Sequence, residues 1–223
     1  MIKTVRVLTF IAAIIAVMLA IFHVNPEREL KVAYKMLSYS DYDQALRHAR
    51  RAYFFSQDSR LKQEAMLLAT DLSLYLNRYD VAVSFASKAI SANQACIKCY
   101  LKRSLANYMV GNYKASKNDL EKLDEALKMP PVKKSYYLSL KGFTQMKLGK
   151  LKEAETSAHY ALELFARNPL AHLLLAKIYK GEKETLSQRE YEETFTLGTK
   201  SLTFMRSIFG KIWKQELSFI PTN

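Results

Sequence analysis

Small and apolar residues return along this chain at helical spacing, in blocks that repeat. Ala45, Ala49 and Ala52 follow Ser40-Asp41-Tyr42; Ala82, Ala86 and Ala89 follow Asn77-Arg78-Tyr79; Ala154, Ala158 and Ala161 follow Gly149-Lys150-Leu151. Between the last two blocks, Gly111-Asn112-Tyr113 opens a weaker copy built on Ser116, Leu120 and Leu123. Steps of three and four residues put each set on one helical face. The turn positions Tyr42, Tyr79, Tyr113 and Leu151 lie 37, 34 and 38 residues apart. A period of that length predicts an all-α chain of stacked helical hairpins, a solenoid in which each repeat buries its face against the next.

The first residues carry a different pattern. From Val7 to Val24 there is no charge for 18 residues. At ~1.5 Å per residue the stretch spans about 27 Å, close to the ~30 Å hydrocarbon core of a bilayer. Ile11, Ile14, Ile15, Val17, Leu19, Ile21 and Phe22 make it apolar on every face, as lipid requires. A cleaved leader needs small residues last and third from last; with Ala20 last, Met18 stands where a small residue is needed. The expectation is an uncleaved transmembrane signal-anchor over residues 1–25. Lys3 and Arg6 precede it, and Glu27, Arg28, Glu29 and Lys31 cancel after it, which keeps the amino terminus cytoplasmic. In a bacterium this puts an inner-membrane anchor below a periplasmic domain. Asn25-Pro26 then reads as a helix cap and first turn.

Over residues 26–183 the blocks resemble the tetratricopeptide repeat, a pair of antiparallel helices, A and B, with small residues at set places. The small residue of helix A falls at Ala33, Thr70, Ser104, Gly142 and Ala176, and that of helix B at Ala45, Ala82, Ser116 and Ala154. Helices packed ~8–10 Å apart interlock only where side chains are short. Met36, Leu46 and Tyr53 fill the first repeat, Leu72, Tyr75 and Ile90 the second. Leu101, Leu105, Leu120 and Leu123 fill the third, and Leu138, Leu148, Leu162 and Leu164 the fourth. Asp41 with Gln44 forms a capping box, and Asn168-Pro169 starts a fifth A helix. Extra residues around 57–61 and at Met129-Pro130-Pro131-Val132 lengthen two turns, the second before Ser135. Beyond Gly181, Ser187-Gln188-Arg189-Glu190 reads as another capping box. Tyr191, Phe195, Leu202, Met205, Phe209, Ile212 and Leu217 then predict a long capping helix over 184–223, bent at Gly210. A solenoid needs such a lid; Trp213 and Phe219 are either its packing or an exposed docking patch.

Chemistry adds less than pattern. The 223 residues are 49% hydrophobic, so a core can form, and the net charge of +13 is scattered without a basic arm, which argues against nucleic acid. The family resemblance implies a partner groove lined by helix A: Tyr34 and Leu37, Leu67, Leu74 and Tyr75, Lys98, Leu101, Lys102, Leu105 and Tyr108, Tyr136, Phe143 and Met146, with Lys31, Lys177 and Lys180 among them. Such a groove would hold a peptide or helix that is apolar and carries acidic residues. Lys98 and Lys102 resemble part of a carboxylate clamp, although Leu30, Tyr34 and Leu68 depart from its other positions. Cys96 and Cys99 read as two small, partly buried residues or as a disulfide across a tiny loop. His23, His48, His159 and His172 are scattered, and no catalytic or metal constellation emerges. The reading is a membrane-anchored, non-enzymatic protein without cofactor that acts as scaffold or assembly factor of a membrane or envelope complex. A stable subunit of such a complex and a redox or metal-handling protein using the cysteine pair are the rival classes.

Overall fold

Helix boundaries in this chain follow local chemistry that recurs from hairpin to hairpin. The computed structural model describes residues 24–124, 129–181, 183–200 and 208–217. In chain order the helices are α1 (Pro26–Ser38), α2 (Tyr42–Phe55), α3 (Ser59–Tyr75), α4 (Tyr79–Ala92), α5 (Ile97–Met109) and α6 (Tyr113–Asp124). They continue with α7 (Pro131–Lys147), α8 (Leu151–Leu164), α9 (Pro169–Tyr179), α10 (Glu184–Lys200) and α11 (Ile208–Leu217). Among the described residues there is no strand. The charge-free anchor segment, except Val24, and Leu202, Met205 and Phe219 lie outside them. No described helix is long and apolar enough to cross a membrane.

The first four A helices, α1, α3, α5 and α7, end in one motif. Ser40 (φ 61°), Asn77 (φ 59°), Gly111 (φ 80°) and Gly149 (φ 78°) each turn left-handed after the last helical turn. The next amide reaches back across the turn: Asp41 to the Met36 carbonyl (3.0 Å), Arg78 to Ser73 (2.8 Å), Asn112 to Asn107 (2.8 Å) and Lys150 to Gln145 (2.9 Å). This Schellman closure satisfies carbonyls that a helix end would strand. Asn25, Asp41 and Asn168 cap α1, α2 and α9 as the sequence predicts, each accepting from an amide two or three residues on. Asp58 caps α3 in the same way, through Leu61 N at 2.8 Å. Pro131 opens α7, so the helix begins ahead of Ser135 rather than after a longer turn.

By contacts the chain divides after Gln94 into two units. In the first, α1 pairs with α2, α2 with α3 and α3 with α4. In the second, α5 pairs with α6, α7 with α8, and α9 with α8, α7 and α10. All nine small positions assigned to helices A and B are buried. Hydroxyls at these positions bond to nearby carbonyls: Thr70 Oγ1 donates to Met66 O (2.7 Å) and Ser116 Oγ to Ser104 O (2.9 Å). That removes the cost of burying them. Leu105, Leu120, Leu140, Phe143 and Leu170 to Leu175 (with His172 turned to the rim) form the core of the second unit.

The carboxy-terminal segment departs from the expectation. Ser187 is not a cap but lies inside α10, where its Oγ donates to Ala176 O at 2.8 Å. Glu190 pairs with His172 Nδ1 at 2.6 Å instead of reaching back to its own helix start. Nor do α10 and α11 make one rod. Ser187 meets Ala176, and Glu216 meets the adjacent Lys177. Along a straight helix Ser187 and Glu216 would stand about 43 Å apart. Gly210 is an ordinary member of α11. Trp213 and Ile212 are buried, so the tryptophan is packing and not a patch.

Candidate functional site

The A helices α5, α7 and α9 of the second unit converge on one buried carboxylate. Glu216 of α11 has no solvent exposure. Its Oε1 accepts from Tyr108 Oη of α5 at 2.7 Å. Its Oε2 faces Lys177 Nζ of α9 at 2.8 Å and Lys147 Nζ, at the end of α7, at 3.1 Å. Burial alone would raise this carboxyl; the bonds from Lys177 and Tyr108 and the charges of Lys177 and Lys147 outweigh it and hold it below the usual carboxylate range. Burial, with the carboxylate close by, pushes the Tyr108 phenol far up, so it stays a donor.

An aromatic wall extends from this point. Phe209 stacks on Tyr136 at 5.1 Å, inclined by 22°. Tyr108 meets Phe143 at 6.4 Å. Trp213 sits edge-on to Phe195 at 6.1 Å, against Gly198, where a Cβ would come within 2.7 Å of the indole. Phe209, Ile212, Trp213 and Glu216 fall at steps of three and four, so one face of α11 carries both the rings and the carboxylate. Phe209 stands by the start of α7 and Glu216 by its end, so α11 lies along the A-helix face.

The other groove residues named from the sequence fall unevenly. In the second unit Leu105, Tyr108 and Phe143 are buried; Leu101, Lys102, Tyr136, Met146 and Lys177 are half-buried, and Lys98 is exposed. Lys147, which the groove reading omitted, pairs with Glu216. In the first unit Tyr34 and Tyr75 are exposed, Leu67 is half-buried and Leu74 buried. Tyr75 meets Tyr42 at 4.0 Å, the rings tilted by 35°, instead of filling the repeat. Tyr34 donates to Glu64 Oε1 at 2.9 Å over a cleft of about 430 Å³ that Leu30, Lys31 and Leu61 also line. Burial and that carboxylate push the Tyr34 phenol up to about 12.

Cys96 and Cys99 are joined by a disulfide at the start of α5. His48 and His172 bridge helices through Glu29 and Glu190, each at 2.6 Å, and His159 meets Tyr179 Oη at 3.1 Å; His23 lies outside the described residues. Among the described residues no three ligating side chains gather as a metal site would need.

Sequence reasoning missed Glu216 as the centre of this site. A signal was present: it is the one carboxylate of α11 and stands on its apolar stripe, seven residues after Phe209 and three after Trp213. Lys147, one residue past Met146, carried no comparable mark.

No protein-family model and no curated protein matches the chain. Solved structures do resemble it. MamA 41-end from Desulfovibrio magneticus RS-1 is 14% identical, with 80% of this chain and 97% of that one covered at a TM-score of 0.67. MamA AMB-1 is 16% identical over 88% and 97%, at 0.60. A thermophilic TPR protein in Thermus thermophilus is 18% identical over 87% and 100%, at 0.57. At such identities the likeness shows the fold: a tetratricopeptide-type helical repeat.

Proposed function

We propose that this chain is a tetratricopeptide-type scaffold or assembly factor, anchored in a membrane by residues 7–24, that holds a protein partner on its A-helix face. One observation carries the reading. The face predicted to take an apolar helix with an acidic residue holds such a helix, α11 with Glu216. No enzymatic step is assigned. What supports the anchor is the length and even apolarity of the charge-free segment, and what supports a periplasmic repeat domain is the charge bias around it.

Affinity capture with the full chain in detergent should recover a membrane or periplasmic protein. Charge reversal at Lys147 and Lys177 should abolish recovery while far-UV circular dichroism stays helical. Unchanged recovery would remove this face from the reading. A chain lacking residues 1–24 should leave the membrane fraction, and protease protection in intact vesicles reads which side the repeats occupy.

A further inference from the structure

We infer that α11 is an exchangeable internal ligand, and that the partner of this face is an amphipathic helix in α11's image. Its signature is an aromatic residue, then apolar residues three and four positions on, then a carboxylate seven positions on, as in Phe209, Ile212, Trp213 and Glu216. This rests on the scaffold reading and adds to it the chemistry of the partner and the way the face is kept closed.

The contrast with α10 supports it. α10 joins α9 through Ser187 to Ala176 O, Thr194 to Pro169 O and Glu190 to His172, beside continuous packing. α11 is a helix of 10 residues, too short to persist alone in water. Its Phe209, Ile212, Trp213 and Glu216 share one stripe centred on a buried charge, with Trp213 edge-on to Phe195 of α10. A buried ion pair gains little over an apolar contact of the same shape, because desolvation offsets attraction. What it does confer is register: only a helix with a carboxylate at that place satisfies Tyr108, Lys147 and Lys177. When α11 lifts, two ammonium groups and a phenol that converge within 3.1 Å of one carboxylate are presented together. They form a receptor already arranged for the next one. The neighbouring wall of Tyr136 and Phe143 then receives the partner's aromatic residue, as it now receives Phe209.

Trp213 is the only tryptophan in the chain and is buried within this contact, so its fluorescence reports α11 alone. The test adds a synthetic peptide of residues 206–219, with phenylalanine in place of its tryptophan, to the full chain in detergent. Release of α11 should shift Trp213 emission to the red, saturably. A peptide with glutamine at the glutamate position should need about tenfold more for the same shift. In the Glu216→Gln chain, whose own helix is weakened, the parent peptide should bind about tenfold more tightly than to the wild type. If that variant loses helical circular dichroism, Phe209→Ala loosens the same helix while sparing the carboxylate, and the same gain is expected. Hydrogen exchange needs no variant: α11 amides should exchange at least about tenfold faster than those of α7 and α9.

Equal protection of α11, α7 and α9 overturns the inference, because the helix would then open only with global unfolding. An emission shift indifferent to the peptide's glutamate overturns the carboxylate as the recognised group. A dimer in which one copy's α11 fills the other's face overturns the foreign helix as partner. Capture of a partner that the peptide does not displace sinks this inference and leaves the scaffold reading standing. Peptide exchange without any captured partner does the reverse.

Discussion

At Gly142 a Cβ would stand 2.3 Å from Leu174 Cδ2 and 3.2 Å from the Ala154 carbonyl oxygen. Gly142→Ala is therefore expected to cost about 1–3 kcal/mol by overpacking, read from the midpoint of urea unfolding. Glu216→Ala leaves Lys147, Lys177 and Tyr108 around a vanished charge. Urea titration followed by Trp213 fluorescence should show a loss of α11 docking at lower urea than in the wild type, because one partner of a buried pair is gone. Replacing Glu216 by Leu together with both lysines by Met should recover most of it, since no buried charge then remains. These two residues differ in how far sequence exposes them. A glycine in a helical block at the small position of helix A already announces close approach. A glutamate on an apolar stripe hints at burial, but which cations meet it is settled only when the helices that bury it are in place.

Individual elements depend on their ends. Ser40 and Asn77 hold the left-handed turn that glycine holds at Gly111 and Gly149. Ser40→Gly should raise stability by about 1 kcal/mol and Asn77→Gly by less, because asparagine tolerates that conformation; thermal unfolding decides. Asn168 both caps α9 and ties it down: Oδ1 accepts from Leu170 and Ala171 amides, and Nδ2 donates to Ser135 Oγ (2.7 Å) and Ser139 Oγ (3.0 Å) of α7. Asn168→Ala should cost about 2–3 kcal/mol, a cap loss plus unsatisfied buried groups, with α9 amides the first to lose exchange protection. The cap was legible, because Asn-Pro starts helices for reasons confined to a few residues. The tie to α7 was not, because Ser135 and Ser139 are remote in sequence and look like ordinary helix-surface positions. The same limit explains the misread Ser187. Its motif fits a capping box, but packing against Ala176 draws the helix start back to Glu184.

Across the molecule, two groups set opposite pH limbs. Glu216 titrates below its free value of 4.5 when folded; the stability it supplies is present above that pH and lost as pH falls through the depressed value. For His172, burial pulls the pKa down, but its bonds to Glu190 and to the Ala166 carbonyl and the nearby carboxylates carry it above 6.5. Its contribution is present below 6.5 and lost as pH rises through the raised value. Melting temperature followed by circular dichroism should thus be highest between those two values and fall on both sides. Glu216→Gln should remove the acid limb, and His172→Gln the other.

The sequence by itself determined the helical hairpins, their period, the small positions that let them interlock and most of their caps, because each depends on residues within one turn or one repeat. The family resemblance those positions carry implied helix A as the face to examine. Only the tertiary structure decided what that face holds in the second unit. Tyr108, Lys147, Lys177 and Glu216 come from four separate helices, and no local rule relates a carboxylate to cations 39 and 69 residues before it. Periodicity reports the burial of a helix's own stripe. Which distant side chains share that burial is settled by packing and electrostatics once the hairpins have stacked.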